Sequence, residues 1–434
     1  MTQSCFFHKS CYNNYENIFS ERGGRCFMPD INENLRVLIN DLLIENFAFL
    51  IGGGASISSN VKSPYDLAYS WFTVLHQYMV DSKMPIDEDN LWVKDFLSNE
   101  KNWKEPNLDD HQIATISRHR YDGDNWFQLM TFLVDGINNS YFQIATMLED
   151  TLPNGREVIN SSVEYISDNA QPRYGYLLLA YLLSQMKTGI GKHDVVITTN
   201  FDDMLINAFY DLRRIIPELV NSSTKPRSIT MGDSKEQLSR ITVWNKRPER
   251  PIIFHVHNSQ EFNPRNTARD VSYYPTETIH ALQTLLENRC LLVMGYSGSD
   301  EGLMTVVKNS KAKRIYWLSY SGDRPKNAPF RRLESEKGRD LVLLTCPEPS
   351  QVDGCPKDCD KGFDSFMWKL VNSLHPECPI FPQTNSAKTH DSKQASATNR
   401  SEAVLLQYAT GGVDNTEERK TIINLFTYED LGKK

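Results

Sequence analysis

The chain has 434 residues, of which 40% are hydrophobic and 24% charged, and its formal net charge is −8 at pH 7. That length exceeds one ordinary domain, and the balance of apolar and charged residues is that of a soluble globular protein. The acidic balance argues against direct binding to nucleic acid, which needs a basic face, and the longest apolar run (176–183) is far short of the roughly 20 residues that span a bilayer.

The first residues, MTQSCFFHKSCYNNYENIF, lack the basic start and apolar core of a signal peptide. The eight cysteines follow no regular framework, so a reducing, cytoplasmic setting is expected. Cys346, Cys355, Cys359 and Cys378 cluster late in the chain, but their spacings match no familiar zinc pattern, and no metal is expected. Ile31, Leu35, Leu38, Ile39, Leu42 and Leu43 recur at helical spacing and predict a helix leading into the first strand.

That strand lies within 46–56, NFAFLIGGGAS. An apolar run without alternation suits a strand buried on both faces. The glycines that end it permit a tight turn and close approach of a ligand, and free N–H groups opening the following helix would attract phosphate. From about 60 to 191, aromatics and leucines recur at three- and four-residue intervals (Trp71, Leu75, Tyr78; Trp126, Leu129, Phe132; Tyr176, Leu179, Leu183). The stretch reads as a helical insertion, either a roof over a nucleotide crevice or packing mass.

Residues 194–203, DVVITTNFDD, form a second buried strand with Asn200 and Asp202 at its carboxyl end, followed by helical spacing from Asp203. Segment 221–250 is polar and without clear periodicity, and is read as a long excursion near the site. In 251–258, PIIFHVHN, a third strand ends at His257. Strict alternation would put His255 and His257 on one face, and the residues alone do not rank them. A helix over 276–288 and a strand ending in CLLVMGYSGSD (290–300) follow. A helix over 301–308 and strands at 314–318 and 341–344 complete the alternation, and Asp300 with Glu301 suits a helix N-terminus better than a metal.

Strands alternating with helices predict an α/β protein with a Rossmann-like, doubly wound parallel sheet and a large helical insertion. The organisation is a helical lead-in (1–45), the Rossmann unit (46–60 and 191–345), the insertion or lid (61–190) and a C-terminal extension (346–434). The extension contains a polar linker at 384–400, and a short helical element that docks on another chain is expected over 403–426. Ligands of such sheets sit at the carboxyl ends of the strands, where these four polar clusters gather.

In order and spacing the four clusters resemble those of the sirtuin (SIR2-like) superfamily. GGGAS resembles its GAGxS phosphate loop, TTNFD its TTN-x-D element, and FHVHN and GYSGSD the HVHG and GYSLSD segments of its bacterial branch. The resemblance implies NAD+ as substrate, bound by Gly52, Gly53, Gly54, Ser56, Thr199, Gly295 and Ser297. It ranks His257 over His255 and implies Asn200, His257 and Asp202 as catalytic. Asn258 stands where the family usually has glycine, and asparagine tolerates left-handed backbone well.

Cleaving the nicotinamide glycosidic bond asks for an oriented ribose, stabilisation of an oxocarbenium-like centre and a nucleophile. Asn200 suits orientation, although a helix cap is its simpler role; Asp202 suits charge stabilisation, and His257 proton acceptance. Arg265 and Arg269 are placed to meet phosphates or, more simply, to form surface ion pairs. The paired CxxC zinc module of deacylating sirtuins and their GIPDFRG stretch are missing, which disfavours a deacylase; an ADP-ribosyl transferase using the same cofactor is a further alternative. A non-catalytic nucleotide-binding module would have no need of both Asn200 and His257. The resemblance therefore implies an NAD+ hydrolase of anti-phage defence, expected as a homo-oligomer triggered by a HerA-type ATPase or a phage component.

Overall fold

A computed structural model describes residues 33–81, 137–164, 166–167, 170–185, 193–216, 225–232, 235–246, 250–260, 264–325, 327–376 and 378–381. The expectations for Cys5, Cys11, Cys26, Trp126, Leu129, Phe132, the linker at 384–400 and the helix over 403–426 lie outside these residues.

Seven strands form one parallel sheet: β1 (Phe47–Ile51), β2 (His193–Thr198), β3 (Arg227–Thr230), β4 (Ile252–His255), β5 (Cys290–Met294), β6 (Ile315–Ser319) and β7 (Leu341–Thr345). Their order is β3-β4-β2-β1-β5-β6-β7, and every pairing is parallel. β1 is central and wholly buried because FAFLI is apolar at every position. Phe47, Phe49 and Ile51 enter the core on one side of the sheet, and Ala48 and Leu50 the core on the other. Burying both faces removes the incentive to alternate, which is why these strands read as continuous apolar runs. β2, β3 and β4 all lie on one side of β1, and the chain then crosses to its other side as β5. The gap between the ends of β1 and β5 is thus the topological switch point, where ligands of doubly wound sheets bind.

The helices follow the predicted spacing, with Glu33–Ile44 before β1, Met204–Ile215 after β2, Thr276–Leu286 before β5 and Glu301–Asn309 after it. Between β1 and β2 every described element is helical: two 3₁₀ turns, then Pro64–Asp81, Ile137–Thr151, Gly155–Glu164 and Tyr174–Ser184. The last of these, YGYLLLAYLLS, is buried all round, between the Met204–Ile215 helix and the helix Phe363–Leu374. None of the described helices is long and apolar enough to cross a membrane.

The polar segment 221–250 holds β3 and a helix, Lys235–Lys246, instead of a structureless excursion. β3 escapes sequence reading because RSIT is a short edge strand with one buried side chain, Ile229. The helix buries Leu238 and Ile241, three residues apart, and packs a partly buried Trp244 against the core. The glycine turn also differs from expectation, since Gly53–Ala55 and Ile57–Ser59 are 3₁₀ turns and no α-helix opens at the loop.

Candidate active site

Side chains tie the strand ends together in two polar groups, one joining β1 to β2 and the other β4 to β5. Ser56, after β1, donates to Asp202 Oδ2 at 2.8 Å and lies 2.6 Å from the Tyr176 hydroxyl. Asn200, after β2, donates from Nδ2 to Ser56 Oγ at 2.8 Å and to Tyr176 Oη at 3.2 Å. Its Oδ1 is buried and has no hydrogen-bond partner. Asp202 Oδ1 accepts the Met204 N–H at 3.0 Å, so Asp202 and not Asn200 serves the start of the following helix. Burial pushes the Asp202 carboxyl up to about 6, against the stabilising hydrogen bonds from Met204 and Ser56.

The second polar group joins β4 to β5. β4 ends at His255, two residues earlier than predicted, and His257 lies in the turn beyond it. Strand alternation therefore does not carry through to His257, and the two histidines part company. His257 Nε2 lies 2.6 Å from Asp300 Oδ2, and the Tyr274 hydroxyl donates to the same oxygen at 2.8 Å. Asp300 uses Oδ1 to cap the helix Glu301–Asn309 through the Leu303 N–H at 3.0 Å, the expected N-terminal role. The imidazole is flanked by Phe201 and Phe142, with ring centroids at 6.4 and 6.2 Å. His255 instead borders a cavity of about 10 Å³, room for about one water, together with Tyr176, Thr198 and Asp202. Neither His255 ring nitrogen has a hydrogen-bond partner of ordinary geometry, and burial lowers its pKa to about 4.

Gly52 and Gly54 do not offer their amides to a ligand. Gly52 N–H donates to the Met294 carbonyl at 3.0 Å and Gly54 N–H to that of Gly295 at 2.9 Å. A Cβ on Gly52 would lie 2.6 Å from the Gly295 oxygen, and one on Gly295, at φ +62°, would lie 2.3 Å from the Ala55 nitrogen. These glycines let two loops touch at the switch point, where sequence reading expects a ligand to come close. Gly53 packs toward Pro64, Thr199 N–H donates to Ile51 at 3.0 Å, and half-buried Ser297 Oγ lies 3.0 Å from Ser299 Oγ. Asn258 adopts φ +64°, the left-handed backbone that asparagine tolerates, and its Oδ1 accepts the Gly232 N–H.

Arg265 bonds the carbonyls of Asp270 and Tyr273, and Arg269 forms an exposed ion pair with Asp150. Cys346, Cys359 and Cys378 are buried and outside any disulfide, and Cys355 is half-buried. Among the described residues no group of three or more His, Cys, Asp or Glu side chains is arranged to hold a metal. Sequence reading misses Tyr176 and Tyr274. The one signal for Tyr176 is a phenol inside an otherwise apolar helix, since a buried Tyr hydroxyl needs a polar partner.

Residues 194–341 match the family model of the SIR2-like domain, and no curated protein matches the chain. The match runs from β2 to the start of β7 and contains Asn200, Asp202, His257, Gly295, Ser297 and Asp300. β1 and its glycine loop precede it, yet β1 sits between two matched strands, β2 and β5. The chain carries a SIR2-like domain, a type of domain that uses NAD+.

Proposed function

We propose that this SIR2-like chain is an NAD+ hydrolase, breaking the nicotinamide glycosidic bond to give nicotinamide and ADP-ribose. NAD+ supplies a leaving group that is already a cationic pyridinium, so the chain has to orient the ribose and a water and accept one proton. The observation that carries the reading is the Asn200 amide. Its nitrogen is pinned by Ser56 and Tyr176 while its buried oxygen is unpaired. An unpaired buried acceptor costs about 1–3 kcal/mol, and a ribose hydroxyl or a water would satisfy it. Asp202, ionised above about pH 6, stabilises positive charge developing at the ribose. His257, on the neighbouring strand end, accepts the proton. In this reading Thr199, Gly295 and Ser297, which follow β2 and β5, would contact the nucleotide.

The likeness of HVHN and GYSGSD to the bacterial branch supports a role in anti-phage defence, depleting NAD+ on infection. In this reading the chain is a cytoplasmic homo-oligomer switched on by a HerA-type ATPase or a phage-derived trigger, without direct contact to nucleic acid or membrane. Purified protein incubated with NAD+, with and without a candidate partner, tests the activity by chromatography of nicotinamide and ADP-ribose. Release of both products, lost in Asn200→Ala and His257→Ala, supports it. Intact NAD+ in every condition rejects it.

A further inference from the structure

Asp300 does two things at once with its two oxygens. Oδ1 is fixed by the Leu303 N–H at 3.0 Å, and Oδ2 receives the Tyr274 hydroxyl at 2.8 Å and faces His257 Nε2 at 2.6 Å. Asp300 is fully buried, with Tyr274 at 1% and His257 at 3% exposure, so no bulk water competes for these contacts. The Tyr274 proton is committed to Asp300, so the Tyr274 oxygen, 3.2 Å from Nε2, has no proton to give the imidazole. A carboxylate accepts and does not donate. Nε2 must then carry a proton and donate it to Oδ2, which leaves the lone pair of the neutral ring on Nδ1.

We infer that Asp300, seconded by Tyr274, is a positioning residue that fixes His257 as the Nε2–H tautomer, making Nδ1 the atom that accepts the proton during NAD+ cleavage. The inference rests on the proposed hydrolysis for its catalytic meaning, but the tautomer itself does not. The cap on the helix Glu301–Asn309 anchors the carboxylate, so orientation of the imidazole is inherited from the element that follows β5. Asp300→Asn is the informative change. Its amide oxygen can keep the Leu303 cap, while its NH₂ offers Nε2 a donor and drives the ring proton to Nδ1.

The test is nitrogen-15 NMR of protein with labelled histidine, with the His257 signals assigned from His257→Gln. The wild type is expected to show a protonated Nε2 and an unprotonated Nδ1, and Asp300→Asn the reverse. In Asp300→Asn kcat is expected to fall about 10²–10⁴-fold, the usual worth of a general base, with KM and melting temperature near the wild-type values. Tyr274→Phe should keep the wild-type tautomer and lose less activity. A wild-type ring protonated on Nδ1, or an Asp300→Asn variant with the wild-type tautomer and kcat, overturns the inference. A wild type that leaves NAD+ intact overturns the hydrolase reading alone, and the tautomer measurement still decides the role of Asp300.

Discussion

His257 and Asn200 are separable by what their removal leaves behind. In His257→Ala the base is gone, while Asp300 keeps the Tyr274 hydroxyl and its cap. NAD+ cleavage is expected to fall about 10²–10⁴-fold with the fold intact, as read by turnover and circular dichroism; near-wild-type turnover would shift the role to His255. Asn200→Ala is expected to be as inactive and to cost about 1 kcal/mol of stability, because Ser56 and Tyr176 lose a shared donor. A variant that melts early but turns over normally would make Asn200 purely structural. Asp202 has a pH signature. Its carboxyl and that of Asp364 are raised to about 6 from 3.8 by burial, so each adds stability that is complete below pH 3.8 and lost as pH rises through about 6. His193 and His255, lowered to about 4 from 6.5 by burial, add stability that is complete above 6.5 and lost as pH falls through about 4. The two pairs oppose each other across this window. Asp202→Asn removes one acidic contribution, so its melting temperature relative to wild type is expected to be highest at pH 8 and to decline toward pH 4. A difference that stays constant with pH would mean that Asp202 titrates in its ordinary range.

At the scale of elements, the contact between the loops after β1 and β5 decides whether the switch point closes. Gly295→Ala imposes positive φ on a residue with a Cβ and drives that Cβ to 2.3 Å from the Ala55 nitrogen. Gly354 has φ +71° but nothing within 4 Å of a built Cβ, so Gly354→Ala isolates the backbone term, about 1–2 kcal/mol. Gly295→Ala is expected to cost clearly more than Gly354→Ala by chemical denaturation, and equal costs would mean that the two loops are not in firm contact. The same contact shows what the sequence conceals. FAFLI and CLLVM announce buried strands, and the residues after them announce a polar crevice. That Gly52 and Gly295 serve each other is invisible without the pairing of β1 with β5. β3 and the helix Lys235–Lys246 are hidden because edge elements bury few side chains and so carry little periodicity. The partners Tyr176 and Tyr274 are hidden because they lie 24 residues before Asn200 and 17 after His257, and only the fold brings them close.

For the whole molecule, the question is how a dinucleotide reaches groups as enclosed as Asn200 and His257, 5% and 3% exposed. The cavity beside Asp202 and His255 is about 10 Å³, whereas ligand pockets commonly need about 300 Å³ or more. The helix carrying Tyr176 is latched in place from the C-terminal side. Asp364 accepts the Gly175 N–H at 2.9 Å and the Ser58 hydroxyl at 3.0 Å, and Arg173 pairs with Asp358 at 3.0 Å. We propose that the site opens for turnover by movement of the helical insertion relative to the sheet. An unrestrained NAD+ hydrolase would harm its own cell, so the isolated chain is expected to be a weakly active homo-oligomer whose rate rises when a partner ATPase or phage component loosens the latch. Asp364→Ala, which removes the acceptor shared by Gly175 and Ser58, is expected to raise basal NAD+ loss without any partner while lowering the melting temperature. Light scattering after size-exclusion chromatography, coupled to an NAD+-loss assay on wild type and Asp364→Ala, makes the measurement. A fully active wild-type monomer, indifferent to every partner and to Asp364→Ala, would leave the latch without a regulatory role.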